Sequence, residues 1–128
     1  MPVIYSLAAK TARMTAARNQ IDGGLGAGKL EIGTTSMAEV LVTVLLNDPS
    51  GTVANDILSL SGFPKYAMPT RNGIAASARI RDSSNNDIIT GLTVGVDAES
   101  FDIVVDDTSV IIDHEITVNA TPTIIHAP

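Results

Sequence analysis

Few residues in this chain have the type and spacing that chemistry needs. The first group is Gly23-Gly24-Leu25-Gly26-Ala27-Gly28-Lys29, which approaches the phosphate-binding loop of Gly, four residues, Gly-Lys and then Ser or Thr. Leu30 stands where the Mg2+-binding hydroxyl belongs. The residues before the loop favour a helix and those after it a strand. That is the reverse of the order that puts a helix N-terminus, with its unpaired N–H groups and positive dipole end, behind a phosphate. Nucleotide binding is not expected.

The second group is His114 between Asp113 and Glu115. On a strand, neighbouring side chains point to opposite faces, so His114 is expected to turn away from both acids. His126 lies near the end of the sequence, and neither His has a nucleophile or base partner in its own motif. Asp102, Asp106, Asp107, Asp113 and Glu115 are oxygen ligands of the kind Ca2+ takes, but the EF-hand order and its central glycine are missing. The chain has no Cys, which excludes disulfides, thiolate metal sites and a cysteine nucleophile. The sequence therefore predicts no enzyme, no cofactor and no metal site.

The basic residues are the third group. Lys10, Arg13 and Arg18 lie on one segment, with Lys10 and Arg13 on one side of it if it is helical. They are few, dispersed and without interleaved aromatics, so they fit an acidic protein surface better than nucleic acid. Charge is unevenly divided. Residues 1–81 hold all eight basic groups against five acids, a net of +3, while residues 82–128 hold nine acids and no Lys or Arg. Such polarity points to electrostatic fit between subunits or to an acidic solvated face. No membrane contact is expected, because the longest apolar run, Val40 to Leu46, is broken by Thr43 and falls short of the ~20 residues of a membrane helix. Met1 to Leu7 lacks the basic start of a signal peptide, so a soluble chain made in the cytoplasm is expected.

The elements that position these residues can be read from periodicity. Aromatics make up 3% of the chain, as Tyr5, Phe63, Tyr66 and Phe101, so the core must be aliphatic. Ser6 to Asp22 is rich in good helix formers, with Ser6 as N-cap and Gly23-Gly24 as terminator. Leu7, Met14 and Ile21 make one narrow apolar stripe along it, suited to the sheet or to a neighbouring subunit. Lys29 to Thr34 alternates as a strand, with Leu30 and Ile32 on one face. Val40 to Leu46 is so apolar that both its faces are expected to be buried, and Asn47 to Gly51 turns the chain. Thr52 to Asn72 reads as a short strand around Ile57–Leu60 and an irregular loop, with Phe63 and Tyr66 as core plugs or interface contacts.

From Gly73 the alternation is plain. Ile74, Ala76, Ala78 and Ile80 face one way, Asp82 to Asp87 forms an Asx- and Ser-rich turn, and Asp87 to Val96 returns as the second strand of a hairpin. Phe101, Ile103 and Val105 form a further strand. So do Val110, Ile112, His114, Ile116 and Val118, and a last one spans Thr121 to His126. This spacing predicts a mainly β protein, an antiparallel β-sandwich or barrel (29–126) with one N-terminal α-helix (6–22), as a single domain over 1–128.

The order of segments resembles a group of small bacteriophage virion structural proteins, in which an alanine-rich helix ends in Gly-Gly and is followed by characteristic strands. Gly23-Gly24, Lys29-Leu30-Glu31-Ile32-Gly33 and Val40 to Pro49 occupy the first places. Ala76 to Ser84, Thr93-Val94-Gly95 and Phe101 to Val110 match later ones in order and spacing. The chain differs in having no aromatic before Arg79 and in carrying Asn85-Asn86 in place of a turn glycine. The resemblance implies a virion component, in the first place a capsid decoration (cement) protein on the capsid surface that binds the major capsid protein and forms homo-oligomers such as trimers. A minor tail or head–tail connector protein is the alternative, and a carbohydrate-binding β-sandwich a third. Interface candidates are Leu7, Lys10, Arg13, Met14, Phe63 and Tyr66.

Overall fold

The structure is a computed structural model that describes residues 6–24, 26–97, 101–118 and 123–125. It is mainly β, with a single N-terminal helix and strongly curled sheets in a β-sandwich- or barrel-like arrangement. The helix, α1 (Leu7–Ile21), starts as the sequence predicts: the Ser6 hydroxyl accepts from Ala9 N at 3.1 Å, satisfying one of the orphan donors of the first turn. It closes on Asp22, still right-handed, whose N–H reaches Arg18 O.

Among the described residues twelve strands follow: β1 (Lys29–Gly33), β2 (Val40–Leu45), β3 (Gly51–Ala54), β4 (Ile57–Leu60), β5 (Lys65–Ala67), β6 (Gly73–Ile74), β7 (Ser77–Arg81), β8 (Asp87–Gly95), β9 (Ile103–Val104), β10 (Ser109–Val110), β11 (Ile116–Val118) and β12 (Thr123–Ile125). The largest sheet has the order β2-β1-β7-β8-β9, and three small sheets pair β10 with β6, β11 with β5, and β12-β4-β3. Leu30, Ile32, Val42, Val44, Ala78, Ile80, Leu92 and Val94 line its inner face, and they join Leu58, Leu60, Ile103, Val105, Ile116 and Val118 in one aliphatic core.

The β7–β8 hairpin turns where the Asx-rich stretch predicts. The Asp82 carboxylate accepts from Ser84 N and Asn86 N, both at 2.9 Å, and from Asn86 Nδ2 at 3.0 Å. Asn85 takes a φ of 67°, the left-handed conformation that Asn tolerates better than most residues. This fastening stands in for the turn glycine.

Several expectations are corrected. β2 is covered on both sides only at its start, where Leu41 and Val42 are both fully buried beside the register shift at Gly33; further along, Val44 faces the core while Thr43 and Leu45 are exposed, Leu45 by 66%. Thr52 to Asn72 holds more strand than expected: β3 and β4 form a hairpin, and β5 lies within the supposed loop. The alternation from Gly73 changes phase. Ala75 is buried and Ile74 is 61% exposed, because Ala75 N bonds Thr108 O while Ala76 N bonds Gly33 O, so the chain changes partner strands between β6 and β7.

The strand expected from Val110 to Val118 is two strands in two sheets, joined by a turn in which His114 N donates to Ile111 O at 3.1 Å and Asp113 has a φ of 76°. Pairing is not antiparallel throughout, since β9 lies parallel to β8. Of the last expected strand, Thr123–Ile125 is observed, and Thr121, Pro122 and His126 lie outside the described residues.

Candidate protein interaction surface

α1 is held to the β3–β4 hairpin by polar contacts at both ends. Lys10 Nζ lies 3.9 Å from Asp56 Oδ2, and the Thr11 hydroxyl donates to Asn55 O at the hairpin tip. At the other end Asp22 Oδ1 accepts from Ser50 N at 2.9 Å. Only Met14 and Ile21 of the helix are deeply buried. The narrow stripe read from the sequence is therefore narrower still, because Leu7 at its start is 54% exposed.

The interface candidates separate. Met14, expected as an interface candidate, is buried in the core, where it anchors the helix. Leu7 and Arg13 are exposed on α1, and Lys10 is partly covered beside Asp56. Phe63 packs against the core as a plug, with Lys65 Nζ 5.7 Å above its ring centre. Tyr66 stands 60% exposed on β5 and lines an open hollow of about 500 Å3 with Thr43, Leu45, Pro64 and Lys65. α1 packs on β3, β4 and β8, whereas β5 packs on β2 and β11, so the helix candidates and Tyr66 occupy different parts of the surface.

The acidic residues act locally. Asp102 Oδ2 accepts from Thr93 N at 3.0 Å, Asp106 Oδ1 from Thr117 N at 3.1 Å and Asp107 Oδ1 from Ser109 N at 2.8 Å, so each secures backbone at a strand edge. Among the described residues no group of three or more His, Asp or Glu side chains is placed to hold a metal ion. His114 is not turned from its neighbours as a strand would have it. In the turn it lines a hollow of about 140 Å3 together with Asp106, Asp107 and Glu115.

The glycine stretch has a packing explanation. A Cβ on Gly28 would lie 2.4 Å from Ile21 Cγ2 and 2.9 Å from Arg81 O, so the chain leaves the helix through a gap too small for a side chain. The stretch runs from helix to strand, as the sequence predicts.

Sequence reasoning missed two surface features. One is the ionic row on the outer face of the large sheet, where Arg79, Glu31, Arg81 and Asp87 are joined by contacts of 2.6 to 3.5 Å. There the Arg81 guanidinium is raised above its ordinary pKa, first by its hydrogen bond to Asp87 and then by the charge of Glu31. The other is a group of exposed isoleucines, Ile74, Ile111 and Ile112, which alternation assigns to strands. The signal for the latter was the left-handed-tolerant Asp113 within the run.

Among the described residues no helix is long and apolar enough to cross a membrane. The fold is that of a mainly β protein with a single N-terminal helix. Compared with protein families, with curated proteins and with solved structures, the chain matches none.

Proposed function

We propose that the chain is a structural protein of a bacteriophage virion, a non-catalytic capsid decoration protein that binds the major capsid protein and stabilises the head shell. One observation carries this reading. The segments whose order resembles the virion group, Lys29 to Gly33, Val40 to Pro49, Ala76 to Ser84, Thr93 to Gly95 and Phe101 to Val110, contain strands β1, β2, β7, the end of β8, β9 and β10. They thus hold four strands of the five-stranded sheet whole and the last three residues of the fifth, β8. The likeness consists of strand and turn patterns, and its strands, β10 apart, are those of the main sheet.

A chain that repeats over a shell needs little contact per subunit, because many copies act together. The aliphatic core and the divided charge suit such use. Cryo-EM of virions, with protein quantification, tests the reading. Decoration requires a copy number on the scale of the capsid subunits, with density on the outer shell. A handful of copies at the vertex or tail would assign the chain to the connector or tail instead. Glycan binding that is lost in Tyr66→Ala would replace both with the carbohydrate reading, for which the exposed Tyr66 ring is the stacking surface.

A further inference from the structure

α1 carries Lys10, Arg13 and Arg18 and no acid. Its C-terminal end lies by Gly28 at the start of β1, where Ile21 meets the glycine. The β6–β10 pair lies at the other end of that strand: Gly73 stands against Leu41 and Thr34, and Ala76 N donates to Gly33 O at 2.9 Å. Those ends are separated by the length of β1, about 13 Å at ~3.3 Å per residue. Close to β10 in the chain are exposed Asp106, Asp107, Asp113 and Glu115, of which Asp106, Asp107 and Glu115 line one hollow with Ile111, and exposed Arg71 stands just before β6.

Within this acidic end Ile74, Ile111 and Ile112 are 61%, 48% and 43% exposed. They are not on a frayed loop. Ile74 is paired with Ser109, and Ile112 N donates to Asn72 Oδ1 at 2.7 Å, which fixes the turn to the residue before β6. Isoleucines exposed singly need no explanation, but a fixed group rimmed by charge is the form of a contact surface.

We propose that this acid-rimmed isoleucine patch docks on α1 of a second copy of the chain. The helix offers the complementary chemistry: exposed Leu7 for the isoleucines, exposed Arg13 for the acids, and low relief at exposed Ala8, Ala12 and Ala16. The two surfaces are built from different elements, the helix beside the β3–β4 hairpin and the β6–β10 pair beside the end of β1, so a contact between them is heterologous and either closes as a ring or continues as a chain. This deepens the assembly reading and rests on it only in that copies must meet.

Analytical ultracentrifugation of the full chain over a wide concentration range, at low and high salt, tests it. The expected mass rises with concentration and falls with salt, because exposed opposite charges are screened. Arg13→Glu and Glu115→Arg each weaken association several-fold, the two together restore it, and Ile111→Ser weakens it at either salt. All are exposed positions, and unchanged melting temperatures show that the variants fold. A chain that stays monomeric throughout, or a charge swap that does not restore association, overturns the proposal. So does an Ile111→Ser variant that self-associates as the wild type does but no longer binds shells, which would give the patch to the capsid. Binding to purified shells is measured separately: self-association without shell binding removes the decoration reading and leaves this one standing.

Discussion

Arg79 Nε donates to Glu31 Oε1 at 2.6 Å across β7 and β1, on the sheet face opposite Leu30 and Ile32. Arg81 Nε lies 3.5 Å from the same oxygen and 2.6 Å from Asp87 Oδ1, so one carboxylate holds two guanidinium groups and a second acid shares one of them. The Glu31 side chain is 11% exposed and that of Arg79 19%. Removing the carboxylate leaves two cations side by side with little water. Glu31→Ala is therefore expected to cost about 1–3 kcal/mol, read from the midpoint of urea unfolding. Arg79→Ala should cost less, because Arg81 still faces Glu31. Equal losses would mean that Arg81 does not share the carboxylate.

The helix is fastened unequally along its length, and truncation should show it. Ile21 is fully buried against the core, whereas Leu7 is 54% exposed. Ile21→Ala should destabilise by about 2–5 kcal/mol. Leu7→Ala should stay within about 0.5 kcal/mol in the isolated chain, although it lies in the surface proposed to receive a second copy. Thermal unfolding at low concentration separates these effects. A large loss from Leu7→Ala under those conditions would place Leu7 in the core.

Asp82 supplies a pH dependence of definite sign. Its carboxyl is held below the ordinary 3.8, first by the Asn86 side-chain hydrogen bond and then by the Asn86 and Ser84 N–H groups. A carboxylate whose pKa is depressed on folding contributes stability above its unfolded pKa and loses it as pH falls through the folded value. Asp82→Asn keeps a side-chain oxygen to accept these bonds but cannot titrate. The wild type is expected to be the more stable at neutral pH, and the difference should shrink as pH drops below the ordinary carboxylate range. Denaturant titrations across acid pH check this. A constant difference would remove Asp82 from the acid response.

The sequence carries the local elements well and the joins between them poorly. Ser6, Asp82 and the alternating Leu30 and Ile32 act through neighbours in the chain, and helix start, hairpin turn and inner sheet face all appear where the residues place them. The errors cluster where a strand changes partner. Nothing local to Ile74 and Ala76 records that the chain leaves β10 for β1 between them, and Ile112 and His114 keep period two across a turn that joins two sheets. At the candidate surface, Leu7 and Tyr66 are exposed as an interface requires, while Met14 and Phe63 face inward. An apolar side chain looks the same in sequence whether it fills the core or a contact.

Gly51 and Gly91 show how differently two strand glycines are constrained. Gly51 pairs with Leu60 in the β3–β4 hairpin, and a Cβ there would lie 2.1 Å from Ser59 O and 2.9 Å from Leu60 Cα. Those atoms are backbone of the partner strand and cannot rotate away. The strands must separate, and α1, fastened beside them through Asp22 and Ser50, must shift with them. Gly91 has the opposite constraint: its φ is 76°, and nothing lies within 4 Å of the added atom. Asn enters that conformation more easily than Ala. At position 91, Asn should therefore be milder than Ala, which is expected to cost about 1–2 kcal/mol. At position 51, Ala should cost about 1–3 kcal/mol through overpacking, and the larger Asn more. Melting temperatures of the four variants give the two rankings, and the same order at both positions would show that backbone conformation at Gly91, or space at Gly51, is not the limiting factor.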